Sequence, residues 1–330
     1  MSFKRLDPED FLVSVDSVTA TAWSTNSPTL TTFFTSPVSS TNDSYYKNVY
    51  QTASTVSGSA VQFAIAYGNE YGSGSAFYNN AVTGSSPTRT VYGQYRNLIY
   101  GSETAAFIFG TVTASDFWAI SVDRARYKEH LLKGTFNITL SGSGIQTLKL
   151  TDNSGMVTTD TYLDCGRVYE IISGSNGVAY TGTGYSPSSG SYGLFLPDIA
   201  TIILNPLALS QSINLEPSRS FDSDGLNIGR LFTAISGAAS FQVNSEETVT
   251  SDYVFVRARN SEFNYSENPS FISGSTGDVI FSTFINSPQT YMTTVGFYND
   301  TNDLLAVAKL SKPLTKDFTK EALLRVKLDF

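Results

Sequence analysis

A chain of 330 residues exceeds the length at which one hydrophobic core usually stops growing, so two lobes are expected. Its net charge of −8, with no basic run anywhere, excludes the concentrated cationic face that nucleic-acid binding needs, and a single cysteine, Cys165, excludes a disulfide framework or a thiolate zinc site. Hydrophobic residues make up 41% of the chain but charged ones only 15%, so Ser, Thr, Asn and Gly solubilise the surface, as suits a β-rich protein or one largely covered by partners.

The start, MSFKRLDPEDF, lacks the apolar core of a signal peptide. A short helix is predicted for SPTLTTFFTS, where Ser27-Pro28 precedes Leu30, Phe33 and Phe34. VQFAIAYG (61–68) alternates Val61, Phe63, Ile65 and Tyr67 against Gln62, Ala64 and Ala66, the pattern of a half-buried strand. SPTRTVYGQYRNLIYG carries the punctuation of a helix near 87–100: Ser86 as N-cap, Pro87 at the first position and Gly101 as the stop.

Further alternating runs predict strands at 107–113, 117–123, 134–142 and 146–152. TGTGYSPSSGSYG (181–193) predicts a long loop, and DGLNIGRLFTAISGA a second helix with Ile228, Leu231, Phe232 and Ile235 on one face. YVFVRAR (253–259) and DVIFSTFI (278–285) alternate as strands. TTVGFYNDTNDLLAVAKLSKP then predicts a hairpin over 291–310, placed in or against a C-terminal sheet completed by the terminal strand LRVKLDF (324–330). No stretch approaches the ~20 apolar residues of a membrane span; the richest, LFLPDIATIILNPLAL, is broken by Pro197 and Pro206 and carries Asp198.

The expected fold is therefore mainly β (α+β): antiparallel sheets in β-sandwich-like lobes with a few isolated helices. The expected boundary lies near residue 215, separating an N-terminal lobe, 1–215, from a C-terminal one, 216–330. No fixed-period repeat is visible, which disfavours propellers and solenoids.

Catalytic vocabulary is sparse. His130 is the sole histidine, so a Ser-His-Asp or Cys-His device would have to use it, yet no GxSxG elbow occurs; it reads as a surface or interface histidine in a charged segment. Phosphate-cradling Gly motifs are absent, and no carboxylate pair stands out. Asp222 and Asp224 before Gly225 are a fragment of a calcium loop, read as a turn or helix N-cap, while NDTND (299–303) is turn chemistry. Cys165 reads as a small buried apolar residue. The expectation is a non-enzyme with no cofactor and no metal. DRARYKEHL (123–131), the densest charged stretch, reads as a solvated turn or short helix, or as an inter-subunit salt-bridge patch built on Arg124 and Arg126.

Several phrases together carry a family resemblance: FKRLDPEDF, AVQFAIAYG with GSGS after it, TVYGQYRNLIYG, DRARYKEHLLKGTFNITL, SGSYGLFLPDIATIILN and KEALLRVKLDF. They resemble the virion structural proteins of T-even-like contractile-tailed phages, particularly those infecting cyanobacteria. The hairpin is similar to one found in phage baseplate and tail-fibre attachment proteins, with Val295 to Tyr298 matching the first arm and Leu304 to Lys309 the second; Phe297 stands where Leu is more usual. The resemblance implies a baseplate subunit, wedge or fibre-attachment, made in the host cytoplasm and located in the virion tail. Its implied partners are other tail proteins and copies of itself, with no nucleic acid and no membrane. The implied assembly residues are Phe297, Tyr298, Asn299 and Asp300 at the hairpin, beside Arg124 and Arg126. Receptor- or glycan-binding and a neck or collar station are the alternatives.

Overall fold

Alternation with a period of two organises most of this chain, and the computed structural model is accordingly mainly β, with antiparallel sheets. It describes residues 3–35, 45–75, 86–143, 146–180, 190–220, 225–266 and 268–329. The first elements are β1 (Phe11–Thr21), β2 (Thr29–Leu30), β3 (Phe34–Thr35), β4 (Tyr46–Tyr50), β5 (Val61–Asn69), α1 (Pro87–Tyr100), β6 (Phe107–Phe109), β7 (Val112–Ala114), β8 (Asp116–Val122), β9 (His130–Leu131), β10 (Asn137–Ser141) and β11 (Thr147–Asp152). There follow β12 (Thr161–Leu163), β13 (Gly166–Ser175), β14 (Val178–Ala179), β15 (Gly193–Leu196), β16 (Thr201–Leu204), α2 (Pro206–Ile213), α3 (Leu226–Ala238), β17 (Phe241–Gln242) and β18 (Asn244–Ala258). The last are α4 (Ser282–Asn286), β19 (Thr290–Tyr298), β20 (Leu304–Lys316) and β21 (Ala322–Asp329).

Two compact units result: a large one, Ser17–Glu247, and a small one made of Met1–Asp16 with Thr248–Phe330. The division therefore does not fall near residue 215. Helix α3 supplies Ile228, Leu231 and Ile235 to the same core as Phe63 and Trp118, and that shared burial ties the segment after 215 to the strands before it.

In the large unit one sheet runs in the order β2-β17-β10-β11-β13-β15-β16-β8-β5-β4-β3. Its two end strands, β2 and β3, are joined by Thr31–Phe33 alone, which limits Leu30 and Phe34 to about 15 Å apart, so the sheet curls back on itself. Successive residues enter different cores. On β8, Trp118 and Ile120 belong to one cluster while Phe117 and Ala119 belong to another; on β16, Ile202 and Leu204 face one way and Ile203 the other. Both faces are thus covered, where alternation in VQFAIAYG predicted half-burial. Gln62 is fully buried, its amide donating to Ser24 Oγ and the Ala60 carbonyl, both at 2.8 Å, while its Oε1 accepts from Ser24 N.

Helix α3 packs on β10 on the first face, and α1 packs on β5, giving Val91, Tyr92 and Ile99 to the second core. Helix α1 forms where its punctuation placed it. Ser86 Oγ accepts from Arg89 N, and Gly101 ends the helix at φ 59°, a left-handed conformation that favours glycine. SPTLTTFFTS, by contrast, is not helical: Thr29 and Leu30 form β2 against Gln242 and Phe241, and Phe34–Thr35 form β3. The β-branched threonines and the fully occupied apolar site at Leu30 favour extension over the Ser-Pro start signal. The run at 107–113 divides into β6 and β7 around Gly110 at φ 62°.

In the small unit β21 pairs with β18 over eight residues, from Ser251↔Asp329 to Ala258↔Ala322, and β1 is the neighbour of β18 on its other edge. The β19–β20 hairpin forms its own two-stranded sheet, so LRVKLDF completes the sheet of β18 rather than that of the hairpin. DVIFSTFI is not a strand either. Its second half forms the one-turn helix α4, with the Phe271 ring 5.5 Å from Phe284 and 6.5 Å from Phe281. That local aromatic cluster outweighs the alternation.

Candidate assembly surface

The hairpin begins with its turn. Asn299 Oδ1 accepts from the backbone N–H of Thr301 at 3.1 Å and of Asp303 at 2.7 Å, and from Thr301 Oγ1 at 2.8 Å. Asn302 sits at φ 64°, which asparagine tolerates better than most residues. Hydrogen bonds from Thr301 and Asn299 hold the exposed Asp303 carboxyl below the ordinary range. NDTND is therefore a self-satisfied turn, and among the described residues no group of three or more His, Cys, Asp or Glu has the arrangement of a metal site.

Antiparallel pairing puts directly opposed residues on one face. Gly296↔Val307 and Tyr298↔Leu304 make one face, and Val295↔Ala308 and Phe297↔Ala306 the other. A Cβ placed on Gly296 would lie 3.0 Å from the Tyr298 ring and 3.3 Å from Leu304 Cδ1, so the glycine is the floor on which those side chains rest. Leu304 is 53% exposed, Leu305 68% and Val307 57%. The Phe3 ring meets Tyr298 edge-on at 5.3 Å, leaving the tyrosine still exposed.

The wider small unit shares this character. Phe11, Leu12, Val13 and Val15 of β1 are exposed on both faces of the strand, whereas the two hydrophobic clusters of the described residues draw on the large unit alone. An apolar side chain left in water forfeits roughly 1.5–3 kcal/mol relative to burial, so this row is the candidate assembly surface.

At the base the hairpin is anchored by polar contacts. Lys316 is fully buried, and its ammonium donates to the Asn260 carbonyl at 3.0 Å, Asn264 Oδ1 at 2.8 Å and the Asp317 carbonyl at 3.0 Å. Three acceptors match its three protons.

The residues expected at an interface separate into two sets. Phe297, Tyr298, Asn299 and Asp300 share the hairpin of the small unit, with Phe297 half-buried and Tyr298 exposed. Arg124 and Arg126 belong to the large unit, in a single 3-10 turn capped by Asp123, whose Oδ1 accepts from Ala125 N. Arg124 donates to the Tyr127 carbonyl at 2.7 Å and stacks on that ring at 4.7 Å; the Arg126 Nε is buried without a hydrogen-bond partner. Neither forms an ion pair within DRARYKEHL.

His130 is largely buried rather than a surface residue. Its Nε2 lies 2.9 Å from Glu246 Oε2 across the β9–β18 pair, and Ser17 Oγ donates to the other oxygen. Burial pushes the Glu246 carboxyl up, but the bonds to Ser17 and His130 prevail and hold it below the ordinary range. Cys165 packs half-buried at the margin of the second core, and burial pushes its thiol up, away from thiolate chemistry. Asp222, Asp224 and the 181–189 part of the expected loop lie outside the described residues.

Sequence reasoning missed three charge clusters in the large unit, partly buried around Asp116, Asp160 and Asp198, because the charged partners are distant along the chain. Asp116 accepts from Tyr67 OH at 2.8 Å and pairs with Arg219 at 2.9 Å; burial and the adjoining carboxylate push Tyr67 well above the usual phenol range. Asp160 accepts from Lys133 and from Tyr169 OH at 2.7 Å, and burial together with that carboxylate pushes Tyr169 up to about 12. Asp198 receives Arg167 in a two-pronged contact as well as the Arg167 backbone N–H. Each set is internally satisfied, as structural cross-links are. No protein-family model, curated protein or solved structure matches this chain.

Proposed function

We propose that this chain is a structural subunit of a contractile phage tail, working by protein–protein assembly at the baseplate as a wedge or fibre-attachment component. The observation that carries the assembly reading is the β19–β20 hairpin, whose Leu304, Leu305 and Val307 stand in solvent on a two-stranded ribbon. Such a ribbon is marginal in water by itself, so a partner that covers it contributes both the interface and the order of the hairpin. The tail assignment rests on the resemblance of TTVGFYNDTNDLLAVAKLSKP and the other quoted phrases to virion structural proteins.

The test is a mass-spectrometric inventory of purified particles combined with electron cryomicroscopy of the intact tail. The reading expects the chain in fixed multiples of three or six, with the hairpin against a neighbouring subunit. Its presence in infected-cell lysate but never in particles overturns the reading, and density in the collar moves its station to the neck.

A further inference from the structure

The two edges of the hairpin differ in a way that selects a partner. The β19 strand, TYMTTVGFY, carries no charge and no proline through nine residues. β20 carries Lys309, Lys312 and Pro313, and both register irregularities insert their extra residues on its side. The pairing steps from Met292↔Leu314 to Thr294↔Lys309, so that Thr293 alone faces the four residues Leu310 to Pro313; a second step leaves Leu305 as an extra residue. Bulges, lysines and proline are the devices by which an edge is closed to further pairing. The β20 edge has all three, and the β19 edge has none. Among the described residues β19 is hydrogen-bonded to β20 alone, leaving the outward N–H and C=O groups of β19 without a strand.

We propose that two copies of this chain pair antiparallel along β19, giving a four-stranded sheet with β20 at each outer edge. The inference deepens the assembly reading and rests on its premise that the hairpin is an interface. The charge pattern favours a second copy: an uncharged strand opposed to itself sets no like charges face to face, where a strand with several charges would. Full overlap of the nine residues sets Thr294 opposite itself, Tyr291 opposite Phe297 and Met292 opposite Gly296. That register pairs two aromatic rings and seats a flexible side chain over the one position without a Cβ. Because both outer edges are then the blocked β20 strands, the association closes at two copies, as an isologous two-fold contact requires.

The experiment uses the full chain in a Cys165→Ser background, which removes the sole thiol. Light scattering is expected to give a dimer. Thr294→Cys is expected to form an intermolecular disulfide under mild oxidation, since directly opposed antiparallel residues have Cα atoms about 4.5–5.5 Å apart, within disulfide reach. Phe297→Cys alone is expected not to cross-link, whereas a mixture of Tyr291→Cys and Phe297→Cys chains is. Thr294→Lys is expected to weaken dimerisation about tenfold at low salt and to recover as salt is raised, with far-ultraviolet circular dichroism unchanged.

A monomer at every concentration, or a dimer indifferent to Thr294→Lys with no cross-link through the Thr294→Cys thiol, overturns the pairing. A cross-linked dimer that is absent from particles leaves the pairing intact and sinks the tail reading. Copies that occur in particles with their hairpins apart do the reverse.

Discussion

Thr290 and Lys316 face each other at the base of the hairpin and reach the same turn: Thr290 Oγ1 donates to the Phe263 carbonyl at 2.6 Å, and Lys316 Nζ to the Asn260 carbonyl at 3.0 Å. Side-chain donors thus tether the base of the hairpin. Lys316→Met keeps the stem and deletes the donors, leaving Asn264 Oδ1 and the Asn260 carbonyl with one partner fewer in a buried site. The expected cost is about 2–4 kcal/mol, read in urea unfolding of the small unit, with hydrogen exchange along β19 and β20 accelerated before the large unit responds. Unchanged exchange in the hairpin would show that Lys316 is not the tether.

Removing the Asn299 side chain tests the turn. Asn299→Ala takes away one acceptor serving three donors, two of them backbone N–H groups. A loss of about 1 kcal/mol in hairpin stability is expected, confined to the small unit. Asn299→Asp, which retains the acceptor, should restore most of it.

The contrast between core and ribbon is the sharpest mutational test. Phe136 and Phe195 stack at 5.2 Å and 9° between their planes, both fully buried, so Phe195→Ala is expected to cost about 3–5 kcal/mol. Leu305→Ser is expected to leave monomer stability within about 0.5 kcal/mol while reducing association, because Leu305 is already in water. Phe297→Ala with Tyr298→Ala should likewise impair assembly more than folding. Equal loss of both would make the hairpin part of the core of the unit and nothing more.

Acid sensitivity should trace in part to Asp198. Burial pushes its carboxyl up, but the hydrogen bonds and charge of Arg167 prevail and hold it below the usual carboxylate range. A carboxyl depressed in the folded state contributes stability that is present above its unfolded value, about 3.9, and that is lost as pH falls through the lower folded value. Asp198→Asn is therefore expected to cost about 1 kcal/mol at neutral pH, after allowance for solvent screening, and to flatten the decline between about pH 5 and pH 3. Denaturant midpoints measured across that range decide it; parallel declines in the two proteins would exclude Asp198 as a contributor. Gly166 supports the same contact: at φ 113°, a Cβ there would stand 2.3 Å from Asp198 Oδ2, so Gly166→Ala should displace the carboxylate and mimic Asp198→Asn.

Local signals were legible in the sequence. Helix α1 is bounded by Ser86, Pro87 and Gly101, each acting within a turn of its own position. Alternation located β5, β8 and β11 for the same reason, since the period of two is a property of the strand itself. The turn at NDTND was readable because Asn299 bonds to residues two and four places on.

Contacts distant along the chain were not legible. Leu30 is extended because Phe241 is opposite it, and residues 278–285 fail as a strand because Phe271 packs on the rings of Phe281 and Phe284. His130 reads locally as a surface or interface residue, and its contact with Glu246 at 2.9 Å comes from a strand 116 residues on. The composition, the β class and the well-formed hairpin were determined by the sequence alone. Tertiary structure alone decided that both faces of the central strands β5, β8 and β16 are buried, that β21 joins β18 rather than the hairpin, and that β19 has one edge open. Alternation specifies that a strand has two faces, but what covers each face, and which strand lies beside it, depends on chain segments far outside any local window.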